Sequence, residues 1–119
     1  TYCKIIMSKT SDIHIKVQLD AQNVPEDIQW IAKDGGVDSY SQAKGILISF
    51  FEKESMDTLK LDLWTKEMQV QEMDRFMFQT LKALSETYLK ATNNTKLASD
   101  FGHFANYFGE QTQILPPTN

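Results

Sequence analysis

Side chains able to do chemistry are few in this chain and far apart. There are two histidines, His14 and His103, and one cysteine, Cys3. A metal site needs ligands that converge, and neither histidine has a second histidine or a cysteine at ligand spacing. Asp12 and His14 are two residues apart on a strand-like stretch, so they share a face and form the one local carboxylate–histidine pair. The strict alternation around them makes a solvated strand face the plain reading. His103 lies one turn before Tyr107, where a surface or helix–helix hydrogen bond is expected. No Gly-x-Ser-x-Gly elbow supplies a nucleophile, and the cysteine sits at the chain's end. Asp34-Gly35-Gly36 is a turn without the Lys-Ser/Thr of a phosphate loop. Its acidic neighbours Asp34 and Asp38 would repel phosphate, and the twelve-residue calcium pattern is absent. Asn93-Asn94-Thr95 matches a glycosylation sequon but reads as a helix–helix turn. We therefore assign no catalytic residue, no metal ligand and no cofactor.

The elements that must position these groups follow from hydrophobic periodicity. Ile13, Ile15, Val17 and Leu19 alternate with His14, Lys16 and Gln18, which predicts a half-buried strand over 13–19. Pro25 with Glu26 and Asp27 resembles a helix start, carrying Ile28 and Ile31 inward and ending before Asp34. Residues 34–42 read as a polar loop. Ala43–Phe51 is a second strand, with Ile46, Ile48 and Phe50 on one face and Leu47 and Phe51 on the other. Thr58–Trp64 is a third, with Leu59, Leu61 and Leu63 inward and Lys60, Asp62 and Trp64 outward; these two strands should pair antiparallel. In residues 70–91, Val70, Met73, Phe76, Met77, Leu81, Leu84 and Tyr88 form a helical stripe. Asn93-Asn94 breaks it, and a second helix spans 95–111. The order is β-α-β-β-α-α. The fold class is α+β: an antiparallel sheet of about three strands with two long C-terminal helices packed on one face.

Chain length and charge narrow the function classes. A chain of 119 residues accommodates one domain. We expect residues 1–6 to be an extension, because Met7 resembles a natural start, residues 7–114 to be the single globular domain, and 115–119 to be a frayed tail. Twelve basic and sixteen acidic residues leave a net charge of −4. The acidity concentrates in residues 20–64, where nine acids face four lysines. A nucleic-acid or anionic-membrane protein would carry the opposite sign on a patch. The longest apolar runs fall far short of the ~20 residues a spanning helix needs. A single cysteine excludes an intramolecular disulfide and fits a reducing compartment, so a cytoplasmic location is expected.

Contact surfaces carry somewhat better signals. Trp64 ends the third strand on its outward face, and Trp30 falls outside the Ile28/Ile31 pattern. Phe78 and Leu89, eleven residues apart, share a line on the first long helix away from its main stripe. These four are the candidate partner contacts. The last helix bears a stripe of small residues, Ala98, Gly102, Ala105 and Gly109. Glycine in a helix interior costs about 1 kcal/mol relative to alanine, so close packing is expected there. The packing element is either the preceding helix or a partner helix, the latter giving a homo-dimer. An alternative reading is a small-ligand-binding domain whose pocket, between sheet and helix pair, is lined by Phe50, Met73 and Phe104.

Several strings resemble one known family. They are Asn23-Val-Pro-Glu-Asp-Ile-Gln-Trp30, Asp34-Gly35-Gly36, Ala43-Lys-Gly-Ile-Leu-Ile-Ser49 and Leu59-Lys-Leu-Asp-Leu-Trp-Thr-Lys-Glu-Met68. Together with the two C-terminal helices they are similar to the GldC family of gliding-motility proteins of Bacteroidetes, over about residues 11–113. Gln69 departs from the family pattern, where proline is expected. The family has no assigned catalytic residues. The resemblance implies a soluble, non-enzymatic accessory factor of surface gliding, a process linked in that phylum to type IX secretion. Its partner would be a protein of the gliding machinery.

Overall fold

The structure is a computed structural model and describes residues 8–116. The expected extension at 1–6, with Cys3, and the end of the tail at 117–119 lie outside the described residues. The α+β class holds: antiparallel strands occupy the N-terminal part and two helices the C-terminal part. Two compact units succeed one another along the chain, dividing at Met68 and Gln69.

Among the described residues the first unit contains five strands rather than three. They are β1 (His14–Leu19), β2 (Pro25–Ala32), β3 (Val37–Ala43), β4 (Gly45–Phe51) and β5 (Thr58–Trp64). Two antiparallel sheets result, one in the order β1-β2-β3 and one made by β4 and β5. The expected short helix after Pro25 is therefore corrected to strand β2, and most of the expected loop 34–42 to strand β3. Pro25 fits a strand because it is the first residue, where a missing N–H removes no interior ladder bond. Ile28 then lies opposite Val17 of β1 and Ala43 of β3. It is fully buried and forms the centre of this sheet's packing. A 3-10 turn, Lys33–Gly35, joins β2 to β3, and Gly36 adopts φ 88°, a left-handed conformation that suits glycine.

The β1–β2 turn is held by one carboxylate. Asp20 accepts backbone N–H bonds from Gln22 (2.8 Å) and Val24 (3.0 Å) on Oδ1. Its Oδ2 accepts from Lys66 Nζ at 3.1 Å, and the same ammonium reaches Glu26 at 3.4 Å. The backbone N–H of Lys66 also donates to the carbonyl of Pro25. The end of β5 is thus tied to the start of β2, joining the two sheets.

The second unit is a helical hairpin, α1 (Val70–Thr92) and α2 (Thr95–Gln111). Glu72 accepts the N–H of Gln69 at 2.9 Å, a bond that the proline expected at this position could not donate. Asn93 closes α1 in a left-handed conformation, donating to the Leu89 carbonyl at 2.8 Å. Asn94 Oδ1 then caps α2 by accepting from Leu97 N–H at 3.1 Å. Leu115 is tied back by its N–H to the carbonyl of Gly109 at 3.0 Å.

Candidate functional site

The hairpin of β4 and β5 has one wholly apolar face. Its register places Ile46 opposite Leu63, Ile48 opposite Leu61 and Phe50 opposite Leu59. Because strand side chains alternate, these six lie on one side. The opposite face carries Lys60 and Asp62, joined at 3.0 Å. Sequence periodicity turns Leu59, Leu61 and Leu63 inward. In the structure Leu63 is half-buried, but Leu59 and Leu61 are 55% and 47% exposed, and Phe50 is 59% exposed. Alternation marks a face as apolar without saying what covers it.

Trp64 stands at the base of the same hairpin and is 52% exposed. A shallow groove of about 250 Å³ runs beside it, bounded by Asn23, Val24, Pro25, Asp62 and Leu63. The next residue, Thr65, is buried, and its N–H donates to Lys44 O at 2.8 Å. Its hydroxyl has no hydrogen-bond partner among the described residues. Beyond it, the hydrogen bonds from Val24 and then from Lys66 hold the Asp20 carboxyl below its ordinary range. Lys66 is correspondingly raised, chiefly by its bond to Asp20. The string Leu-Asp-Leu-Trp-Thr-Lys therefore builds a strand edge, an exposed indole and a fixed ion pair within six residues.

The remaining candidates divide between surface and interior. Trp30 is half-buried and Leu89 is exposed. Phe78 is 7% exposed, and its ring lies against Gly109 of α2. Ala98, Ala105 and Gly109 are buried, and Gly102 is half-buried. The small side of α2 faces α1: Ser85 donates to the Ala98 carbonyl at 2.7 Å, and a Cβ at Gly102 would lie 3.5 Å from Ser85 Oγ. The phenylalanine side of α2 is more open than periodicity suggests, with Leu97 and Phe104 both exposed. On α1, Val70 and Leu84 of the expected stripe are also exposed.

Asp12 and His14 border a cleft of about 420 Å³, together with Ile31, Lys33, Asp34 and Tyr40. Its charges are mixed: Asp34 pairs with Lys9 at 3.4 Å, and Lys16 sits 4.4 Å above the Tyr40 ring. Sequence reasoning missed this cleft because β3, which supplies Tyr40, reads as a loop. Among the described residues no group of three or more His, Cys, Asp or Glu side chains could hold a metal ion.

The matched region of the chain decides the family. A family model described as gliding motility-associated protein GldC-like matches residues 25–114. The chain belongs to the GldC-like family. The match includes β2 through α2, and with them the apolar hairpin face, Trp64 and the small-residue stripe. Asp12 and His14 precede it. No curated protein and no solved structure matches the chain. No helix among the described residues of this GldC-like chain is long and apolar enough to cross a membrane.

Proposed function

We propose that this GldC-like protein is a non-enzymatic, cytoplasmic accessory factor of gliding motility that acts by protein–protein contact. The observation that supports contact is the apolar face of the β4–β5 hairpin, where Phe50, Leu59 and Leu61 remain about half exposed or more. Apolar side chains contiguous on one face and open to solvent mark an interaction surface. Trp64, at the hairpin base, and Leu89 are the exposed members of the aromatic and aliphatic contact set. Phe78 serves the helix pair instead, and Trp30 contributes a partly covered edge. The family's place in gliding implies a partner within that machinery, and in Bacteroidetes that machinery is linked to type IX secretion.

Complementation of a gene disruption in a gliding host tests the reading. Variants Phe50→Ser and Trp64→Ala, checked for folding by circular dichroism, should fail to restore colony spreading. Asp12→Asn and His14→Ala should restore it. The reverse pattern, with the carboxylate–histidine pair required and the apolar face dispensable, would replace contact with chemistry at the Asp12–His14 cleft.

A further inference from the structure

The outer strand of the hairpin has an edge that no other described strand pairs, bordered near Trp64 by Asn23, Val24 and Pro25, and its residues form a self-complementary pattern. β5 pairs with β4 and with no other strand among the described residues. Two bonds flanking the ladder fix which way its backbone points. Thr65 N–H donates to Lys44 O at 2.8 Å, and Glu52 N–H donates to Asp57 O at 2.9 Å. Residues 57 and 65 therefore face β4, and by the period of two so do Leu59, Leu61 and Leu63. The N–H and C=O groups of Lys60 and Asp62 point away from β4, toward the open edge. The same direction is taken by Lys66 N–H, which finds Pro25 O and closes the edge at that end.

We propose that two copies of this chain join through this edge, antiparallel about Leu61. In that register Lys60 of one protomer lies opposite the partner's Asp62, and Asp62 lies opposite the partner's Lys60. Both are hydrogen-bonded pairs, because both residues carry outward backbone groups. On the other face Leu59 meets the partner's Leu63, and Leu61 meets the partner's Leu61. Charge selects the register. Shifting the centre by one residue in either direction sets Lys60 against Lys60 or Asp62 against Asp62, and like charges directly opposite are destabilising. Only the Leu61-centred pairing satisfies both charges, since Leu-Lys-Leu-Asp-Leu reversed exchanges the lysine and aspartate positions. Both side chains are available, 60% and 42% exposed, with their present pairing inside one strand.

A second copy also answers a physical need of the hairpin. A two-stranded hairpin is marginal by itself and gains from added strands or a covering layer, and this one is tied to the first sheet at its base through Lys66 and Pro25. Pairing turns two hairpins into a four-stranded sheet in the order β4-β5-β5-β4. An open edge is otherwise a template for uncontrolled association, and a two-fold pairing closes it. The apolar face becomes continuous across the two-fold, which enlarges the surface proposed above for contact. The pairing stands apart from the gliding role: a monomer would remove it and leave the accessory reading intact.

Charge reversal on the full 119-residue chain tests the register by sedimentation equilibrium. The unsubstituted protein should reach twice the 13.7 kDa of one chain. Lys60→Asp and Asp62→Lys should each weaken self-association by about tenfold or more, since each sets like charges across both pairs. Mixing the two variants in equal amounts should restore a dimer, and so should the double exchange Lys60→Asp/Asp62→Lys. Amide exchange supplies a readout free of mutation. Protection of the Lys60 and Asp62 amides should fall on dilution, while that of Leu59 and Leu61, bonded to β4, should not. A monomer at every concentration, a dimer indifferent to single reversal, or a mixture that fails to associate would each overturn the proposal.

Discussion

Substituting alanine at two glycines of one stripe should give opposite results. At Gly109, an added Cβ would lie 2.7 Å from Phe78 Cε1, and 2.9 Å from both Phe78 Cδ1 and Leu115 Cδ1. Those separations are shorter than carbon atoms tolerate, so the buried Phe78 ring must move. Overpacking of this kind costs about 1–3 kcal/mol. Alanine returns about 1 kcal/mol of helix propensity, leaving Gly109→Ala destabilised by roughly 1 kcal/mol. At Gly102 the nearest atom to an added Cβ is Ser85 Oγ at 3.5 Å, an ordinary contact. Gly102→Ala should therefore keep most of the propensity gain, stabilising by about 0.5–1 kcal/mol. For a chain of this size 1 kcal/mol moves the melting midpoint by about 3–6 °C. Helical circular dichroism against temperature and urea measures both variants. In a Phe78→Ala background the penalty at Gly109 should shrink, because both colliding ring atoms are gone, so the double-mutant cycle should be non-additive. A Gly109→Ala protein that melts at or above the unsubstituted chain would refute the close approach, and so would an additive cycle.

Three further outcomes follow from single contacts. The folded protein holds Asp20 below its ordinary 3.8 and Lys66 above its ordinary 10.5, so the Asp20 contribution is present above the unfolded carboxyl value and lost as pH falls through the folded one. The Lys66 contribution is present below its unfolded value and lost as pH rises through its folded one; Asp20→Asn should flatten the acid limb of a stability–pH profile, and an unchanged limb would remove the linkage. Thr65→Val replaces a buried hydroxyl without a partner among the described residues by a methyl group, and should raise the unfolding free energy by about 1 kcal/mol, read from urea unfolding; a loss would mean that the hydroxyl is bonded. Asn94→Ala removes the side-chain cap of α2 and should cost about 1 kcal/mol, measured by urea unfolding, with an unaltered midpoint counting against the cap.

Local pattern determined the elements whose signal is contained in their own residues. The helices came out at Val70–Thr92 and Thr95–Gln111 because a 3.6-residue stripe, a pair of asparagines and a cap lie within the segments themselves. β1, β4 and β5 came out because alternation does, and the sequence also placed Trp64 outward and the small residues of α2 on one line. β2 was misread because Pro25 and two acids imitate a helix start, and because Ile28 and Ile31, three apart, imitate a helical face. β3 was invisible: Val-Asp-Ser-Tyr-Ser-Gln-Ala has little apolar content, and its strand exists because β2 offers it backbone partners. The Asp12–His14 cleft was missed for the same reason.

By itself, then, the sequence determined composition, the α+β class, the two helices, the three alternating strands and the shortage of chemical groups, since these depend on residues near one another in the chain. Tertiary structure alone decided the remainder. It chose strand over helix at Pro25–Ala32 through pairing with β1 and β3. It sent Phe78 into the helix pair, against Gly109, and left Phe50, Leu59 and Leu61 open. Hydrogen bonds between distant segments and the covering of a face are properties of two surfaces meeting, and the periodicity of one segment specifies only its own half.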